Sequence, residues 1–350
     1  MARVVVAGAG AIGASIAYHL ALLGSRDVVL ADLGQVAGGA TGKAMGGVRQ
    51  QFSSAAEVHL ARASLHVFRE LGAPLFEEVG YLFLATTEEG LAELERRREV
   101  QAELGVPVER VDATFVEGLR VDDVVGAVFC GEDGVADPAG VTRELVRRAA
   151  ARGVEVRERT DALGLPAQTL VIACGAGSAA VAAARGVQLP IRPLVRQLVE
   201  IGPVRGLPER LPMTVEMETG FHFRRVGERL RLAMTEPVPR WSAREEVDEA
   251  LVEDWRRRAA MRYPSSAGAP VAAAWAGLYD MTPDAHPVIG PVRDGVYAAC
   301  GFSGHGFMQA PAVGRSVAEE LLGLEPSLDL SPYRLGRFGD DVVFPETIVL

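Results

Sequence analysis

The chain has 350 residues, of which 49% are hydrophobic and 23% charged, and it carries a net charge of −10 at pH 7. That length allows two domains with cores of their own, and no apolar stretch approaches the roughly 20 residues that span a membrane. The acidic balance disfavours nucleic acid, which needs a basic surface; with a strand starting almost at residue 1, no signal peptide is expected, and the expected compartment is the cytoplasm.

From the N-terminus, Arg3 to Ala7 reads as a buried strand and Ile12 to Leu23 as a helix. Gly8, Gly10 and Gly13 therefore fall in the turn between them, at G-x-G-x-x-G spacing. The first glycine permits the tight turn, the second lets a pyrophosphate approach the backbone, and the third lets helix and strand pack closely. Free N–H groups and the partial positive charge of the helix start then face the phosphates. The next strand, 28–32, ends in Asp32, which can accept hydrogen bonds from a ribose diol and disfavours a 2′-phosphate. At this point NAD and FAD both remain open.

Residues 38–54, GGATGKAMGGVRQQFSS, form a loop too rich in glycine for core. A helix follows over 55–72, a strand over 79–87 and a charged amphipathic helix over 88–105. A strand ending near Cys130 runs into the turn GEDGVADPAG, where Asp137 and Pro138 introduce another helix. TLVIACGAGS (169–178) is a second strand that ends in glycine, at Gly175. From Leu189 to Trp275 strands dominate, with one acidic helix over 244–263. GVYAACGFSGHGF (295–307) is the third glycine-ended strand, followed by a helix carrying APAVGRSVAEELLGL. Cys130, Cys174 and Cys300 are odd in number, lack C-x-x-C spacing and sit in apolar runs, as buried reduced thiols do. An NAD enzyme has no need of three such strands returning to one site, so together they indicate FAD. The expected fold is α/β. A Rossmann-like, doubly wound FAD-binding domain (1–78, 132–188 and 276–350) is interrupted by a mainly antiparallel α+β substrate domain (79–131 and 189–275).

GAGAIG with Asp32, GGATGKAMGGVRQQF, DGVADPAG, TLVIACGAGS, WAGLYDMTPDAHPVIG and CGFSGHGFMQAPAVG resemble the D-amino-acid-oxidase group of flavoproteins. The similarity covers nearly the whole chain and is nearest the sarcosine oxidase and L-proline dehydrogenase β-subunit branch. It implies FAD and a small amine or amino-acid substrate (sarcosine-, proline- or glycine-like). The substrate would lose a hydride equivalent to flavin N5 and leave as an imine. It also implies dioxygen or another redox protein as electron acceptor, and leaves room for an α subunit. The cofactor-binding residues so implied are Gly8, Gly10, Ala11, Ile12, Gly13, Asp32, Thr41, Gly46, Gly47, Gly175, Gly301, Phe302, Ser303, Gly304, His305, Gly306 and Phe307.

Several positions depart from the group. After W-A-G-L, the glycine and D-amino-acid oxidases carry an arginine that clamps the substrate carboxylate; here Tyr279 stands there. Monomeric sarcosine oxidase holds its flavin through a cysteine where this chain has Gly277, which implies non-covalent FAD. The lysine that follows G-F-S-G-H-G-F in that enzyme is Met308 here. Oxidases of this type use a lysine over the flavin to stabilise charge on dioxygen, and Lys43, in the flavin loop, is the chain's only lysine, so a dehydrogenase is favoured. The helix starting near Gly306 would supply positive potential to the reduced flavin, with His305 either part of that wall or a hydrogen-bonding group of the turn. For the carboxylate Arg49 comes first. Arg224 and Arg225 lie on a strand whose period of two sends them to opposite faces, as it does His222 and Phe223. The substrate side is thus expected from Arg49, His222, Arg224, Tyr279 and Met308, with His305 and Arg49 catalytic and no metal. His286 reads as a histidine that organises its loop. A second reading is a flavin-binding assembly subunit with little turnover of its own.

Overall fold

The computed structural model describes residues 3–339; residues 1–2 and 340–350, assigned above to the FAD-binding domain, lie outside the described residues. Six strands, numbered in chain order, form the first sheet: β1 (Val4–Ala7), β2 (Val28–Ala31), β9 (Glu155–Arg157), β10 (Thr169–Ile172), β16 (Val288–Arg293) and β17 (Val296–Cys300). Their spatial order is β16-β17-β10-β1-β2-β9. All neighbours run parallel except the edge strand β16. Val4 and Val6 enter a core with helices α1 (Ala11–Leu22), α4 (Pro138–Ala150) and α7 (Gly306–Leu321), while Val5 and Ala7 enter a second core with α5 (Ser178–Ala183). A parallel sheet covered on both faces has no polar side, which is why VVVA, VVLA and TLVI read as unbroken apolar runs. α1 packs between α4 and α7, and α2 (Ala55–Leu71) lies against α7. At the α1–α7 crossing a Cβ on Gly314 would overlap the Ser15 side chain, so the two helices touch almost backbone to backbone.

The second sheet contains β5 (Tyr81–Ala85), β6 (Val108–Val111), β7 (Gly126–Cys130), β11 (Arg192–Ile201), β12 (Met213–Glu216), β13 (His222–Val226), β14 (Arg229–Ala233) and β15 (Val271–Met281). The order is β15-β11-β14-β13-β12-β5-β7-β6, antiparallel except where β12 meets β5. Alternation decides its two faces. Leu82, Leu84, Val199, Ile201, Phe223 and Leu232 pack with Trp255 of α6 (Glu249–Arg262), whereas Tyr81, Phe83, Met213 and Val215 join the core of α1 and α7. α3 (Glu88–Glu103) covers β5 and β7.

Three short antiparallel strands, β3 (Gly47–Val48), β4 (Phe76–Glu77) and β8 (Gly134–Ala136), form a third sheet in the order β3-β8-β4. The glycine-rich segment expected as loop therefore contains a strand and a 3₁₀ turn at Ala40–Lys43. The expected boundary at 275/276 falls inside β15, which pairs along its length with β11. No helix among the described residues is long and apolar enough to cross a membrane.

Candidate active site

The glycines of the first turn divide into two kinds. A Cβ on Gly8 (φ +103°) would overlap the Ala173 carbonyl, and one on Gly13 would overlap the carbonyl oxygen of Gly8. The chain's own backbone excludes side chains at both. At Gly10, the residue before α1, a Cβ would meet only Thr41 Oγ1, at 3.1 Å. Thr41 Oγ1 accepts the Ala11 N–H (3.1 Å), and Ala11 and Ile12 open the helix. The volume over the helix start is thus kept open, as a pyrophosphate requires. Asp32 follows β2 with Oδ2 accepting the Ala9 N–H and Oδ1 the Gly34 N–H, each at 2.7 Å, so its carboxylate is fixed beside the turn. Gly175 (φ +53°) has nothing within 4 Å of a Cβ position. Cys130 and Cys300 are buried free thiols, and Cys174 is half-buried with its Sγ donating to the Ala7 carbonyl at 3.2 Å.

The third glycine segment is a turn held by backbone contacts. Gly301, Ser303 and Gly304 all have positive φ, and the Ser303 hydroxyl accepts the Thr282 N–H at 3.2 Å. Asp280 Oδ2 accepts the Gly301 N–H at 2.7 Å; burial raises the Asp280 pKa against further hydrogen bonds from the Phe302 and Ser303 backbone. A Cβ on Gly306 would lie 2.9 Å from Phe302 Cβ, so glycine lets α7 start close to the turn. The first N–H groups of α7, from Gly306 onward, have no carbonyl of their own helix to bind. His305 precedes them, buried, with its ring edge-on to Phe52 at 5.2 Å. Phe307 packs edge-on to Phe68 at 5.3 Å, and Met308 lies in the same core.

Tyr279 joins this turn to the second sheet, because its ring lies where a Gly304 Cβ would go. Arg196 Cζ sits over the same ring, 5.7 Å from its centroid. Register places Arg196 opposite Gly277 and Leu194 opposite Tyr279, so Arg196, Gly277 and Tyr279 share the face away from α6. Nε and Nη1 of Arg196 are buried with no hydrogen-bond partner among the described residues, an arrangement that costs about 1–3 kcal/mol unless a ligand completes it. His222 belongs to this group too. Burial drives its pKa down to about 4, aided by the charges of Arg49 and Arg196, against a hydrogen bond from Nδ1 to the Gly220 carbonyl at 2.8 Å. Arg49 is almost fully buried; its Nη1 donates to the Gln51 carbonyl and its guanidinium covers the Phe52 ring at 4.1 Å.

The other expected residues have contacts of their own. Phe223 faces α6, so of the alternating pair it is His222 that turns towards Arg49 and Arg196. Arg225 is held by the carbonyls of Gly227 and Pro208. Arg224 lines a separate cavity of about 670 Å³ with Gly42, Asp137 and Arg231, and burial lowers its pKa to about 10. Gly46 and Gly47 owe their lack of side chains to the Ala136 carbonyl and the Tyr81 hydroxyl, which occupy the Cβ positions. Lys43 is ion-paired with Glu245, and its stem passes 3.3 Å from the Cβ position of Gly277.

Two buried carboxylates support the site and went unnoticed in the sequence, where each looks like an ordinary surface acid. Asp133 accepts the Gln50 N–H (2.9 Å) and the side-chain amides of Gln50 (3.1 Å) and Gln51 (3.0 Å), which fixes the segment after Arg49; burial raises its pKa to about 6. Glu57 of α2 accepts hydrogen bonds from His286 Nδ1 (2.9 Å), the Tyr333 hydroxyl (3.0 Å) and the Gln309 amide. Burial would raise Glu57, but His286 outweighs it and the pKa is lowered. His286 is accordingly a structural partner that ties its loop to α2 and α7. Arg196 was missed as well; its signal was a charge inside the apolar strand run LVRQLVEI.

A family model described as FAD dependent oxidoreductase matches residues 3–320, so the chain belongs to that family. Its cofactor is FAD, and the open position at Gly10 fits one. The 4-methylaminobutanoate oxidase (formaldehyde-forming) of Paenarthrobacter nicotinovorans is 26% identical over 96% of this chain and 45% of that protein. Mitochondrial sarcosine dehydrogenase of Homo sapiens is 27% identical over 96% of this chain and 41% of that protein. The chain thus spans less than half the length of these relatives. The crystal structure of L-proline dehydrogenase from P. horikoshii superposes with a TM-score of 0.91 at 25% identity, covering 98% of this chain and 99% of that one.

Proposed function

We propose that this member of the FAD-dependent oxidoreductase family oxidises the C–N bond of a small amino acid or secondary amine, as a dehydrogenase with non-covalently held FAD. The observation that carries the reading is the wall of Arg49, Arg196, His222 and Tyr279 beside the Gly304 turn, next to the start of α7. In this reading the parallel sheet holds the dinucleotide and the eight-stranded sheet supplies the substrate wall. Bound FAD supplies the two-electron acceptor for the C–H bond beside nitrogen, and the amine becomes an imine that water hydrolyses.

The chain's own residues prepare the substrate. Two arginines at one wall disfavour a further positive charge, so a substrate ammonium loses its proton more readily. The neutral amine is the form whose lone pair can make the C=N bond. His222 is neutral at pH 7, and with Nδ1 donating to Gly220 its other ring nitrogen is a hydrogen-bond acceptor. The start of α7 offers its unpaired N–H groups and the positive end of its dipole to negative charge. Lys43 is paired with Glu245 and Gly277 has no side chain, which favours a dehydrogenase over an oxidase and a flavin without a covalent link.

The test is anaerobic mixing of the FAD-loaded protein with sarcosine, proline, glycine and D-amino acids in turn. Loss of the oxidised flavin's visible absorbance is expected with sarcosine or proline. A flavin that dithionite reduces but none of these amines does would favour the assembly-subunit reading instead.

A further inference from the structure

We infer that the guanidinium of Arg196, seated on the Tyr279 ring, takes the carboxylate of the amine substrate; the inference rests on the function proposed above. The two arginines of the wall differ in what they already hold. Arg49 donates Nη1 to the Gln51 carbonyl, lies on the Phe52 ring, and shares its surroundings with the Asp133 carboxylate. Arg196 has no salt bridge among the described residues, and its Nε and Nη1 are buried without a hydrogen-bond acceptor. Nε shares one edge of the planar guanidinium with Nη2 and Nη1 shares the other, so each edge that can meet a carboxylate carries a donor without an acceptor. The charge has no carboxylate of its own, and an anionic ligand is what it lacks.

Three neighbours prepare it for that role. Gly277, directly across the strand pair, carries no side chain of its own beside Arg196, and the stem of Lys43, itself paired with Glu245, runs past that position. Tyr279, one pleat further on the same face, gives it a flat aromatic platform, so the position where related oxidases keep a carboxylate-binding arginine here holds the support for an arginine on the adjacent strand. Tyr279 in turn rests on Gly304, which connects Arg196 to the turn that opens α7. Arg196 is therefore a substrate-binding residue that selects amines bearing a carboxylate, and Arg49, already engaged, is a second source of positive potential.

The experiment is calorimetric titration of the FAD-loaded protein with propionate and, as neutral isostere, propionamide, in wild type, Arg196→Met and Arg49→Met. Methionine keeps an unbranched stem over Tyr279 while removing the fork. Arg196→Met is expected to weaken propionate binding by about tenfold or more, with propionamide unchanged, and Arg49→Met to weaken propionate by less. Should Arg196→Met fail to retain FAD, Arg196→Lys, which keeps the charge and loses the fork, is expected to weaken propionate severalfold. Equal propionate affinity in the Arg196 variant that retains FAD, a larger loss in Arg49→Met, or a wild type that prefers propionamide would each overturn the inference. A wild type that binds propionate through Arg196 yet is reduced by no amine removes the proposed function, and with it the amine, and leaves Arg196 as a carboxylate-binding residue. Amine oxidation with propionate affinity independent of Arg196 does the reverse.

Discussion

Gly13 faces Gly8 across the first turn so closely that the Gly8 carbonyl oxygen occupies the place of a Gly13 side chain. Gly10 lies between them with room for a Cβ, apart from the Thr41 hydroxyl at 3.1 Å. The two positions should therefore fail in different ways. Gly13→Ala is expected to lower the Tm of the FAD-free protein by several degrees, as a backbone clash of about 1–3 kcal/mol does. Gly10→Val is expected to leave that Tm within about 2 °C and yet abolish FAD uptake, because its methyls fill the pyrophosphate space. Thermal melts with and without added FAD check both, and a Gly10→Val protein that purifies with full flavin would show the phosphate turn to lie elsewhere.

The flavin should leave the denatured chain. Gly277 offers no nucleophile, and the buried thiols of Cys130 and Cys300 have raised pKa values that leave little thiolate. After acid precipitation, FAD absorbance is expected in the supernatant and none in the washed pellet. Flavin fluorescence migrating with the polypeptide on a denaturing gel would contradict this.

Asp133 predicts a pH dependence of stability. Its folded pKa of about 6 lies above the ordinary value of 3.8, so between those values the folded chain binds the extra proton and the unfolded chain does not. The stability contributed by protonated Asp133 is present at pH 4 and declines as pH rises through 6, by about 2–3 kcal/mol in all. Asp133→Asn cannot ionise. Its stability deficit relative to wild type, measured by urea unfolding, should shrink on going from pH 4.5 to pH 7. A constant deficit would mean that Asp133 titrates normally.

His222 predicts a feature of the kinetics. With its pKa near 4 it stays neutral above pH 6, so it contributes no ionisation to flavin reduction between pH 6 and 9. The rate at low substrate concentration is expected to rise with pH through one ionisation, that of the substrate ammonium, and His222→Gln should keep that ionisation while lowering the rate. Disappearance of the ionisation in His222→Gln would assign it to the histidine.

What could be read from the sequence was local. The β1–turn–α1–β2 unit lies within about thirty residues, and its strands, helix and glycines sit where pattern and spacing put them. The third sheet was invisible because two-residue strands at 47–48 and 76–77 become strands only when 134–136 comes to lie between them. Gly46 and Gly47 lie in the segment expected at the flavin, and the atoms that forbid a side chain there belong to Ala136 and Tyr81, far along the chain. Arg196 was legible as a charge in an apolar strand, but its partner Tyr279 follows from the β11–β15 register, which no local pattern encodes. Arg224 and Arg225 show the same limit: alternation separated them correctly, while only the folded sheet puts Arg224 in a cavity of its own.

The contact between Gly314 and Ser15 acts as a gauge. α1 begins at the first glycine turn and α7 at the third, so the two helix starts lie at the ends of the proposed dinucleotide site. Their separation depends on how closely the helices cross, and at Gly314 the closest approach is limited by the Ser15 side chain itself. Any residue larger than glycine at 314 must push α7 away from α1, lengthening the span that one bound molecule has to bridge. A position remote from either glycine turn thereby sets the fit at both.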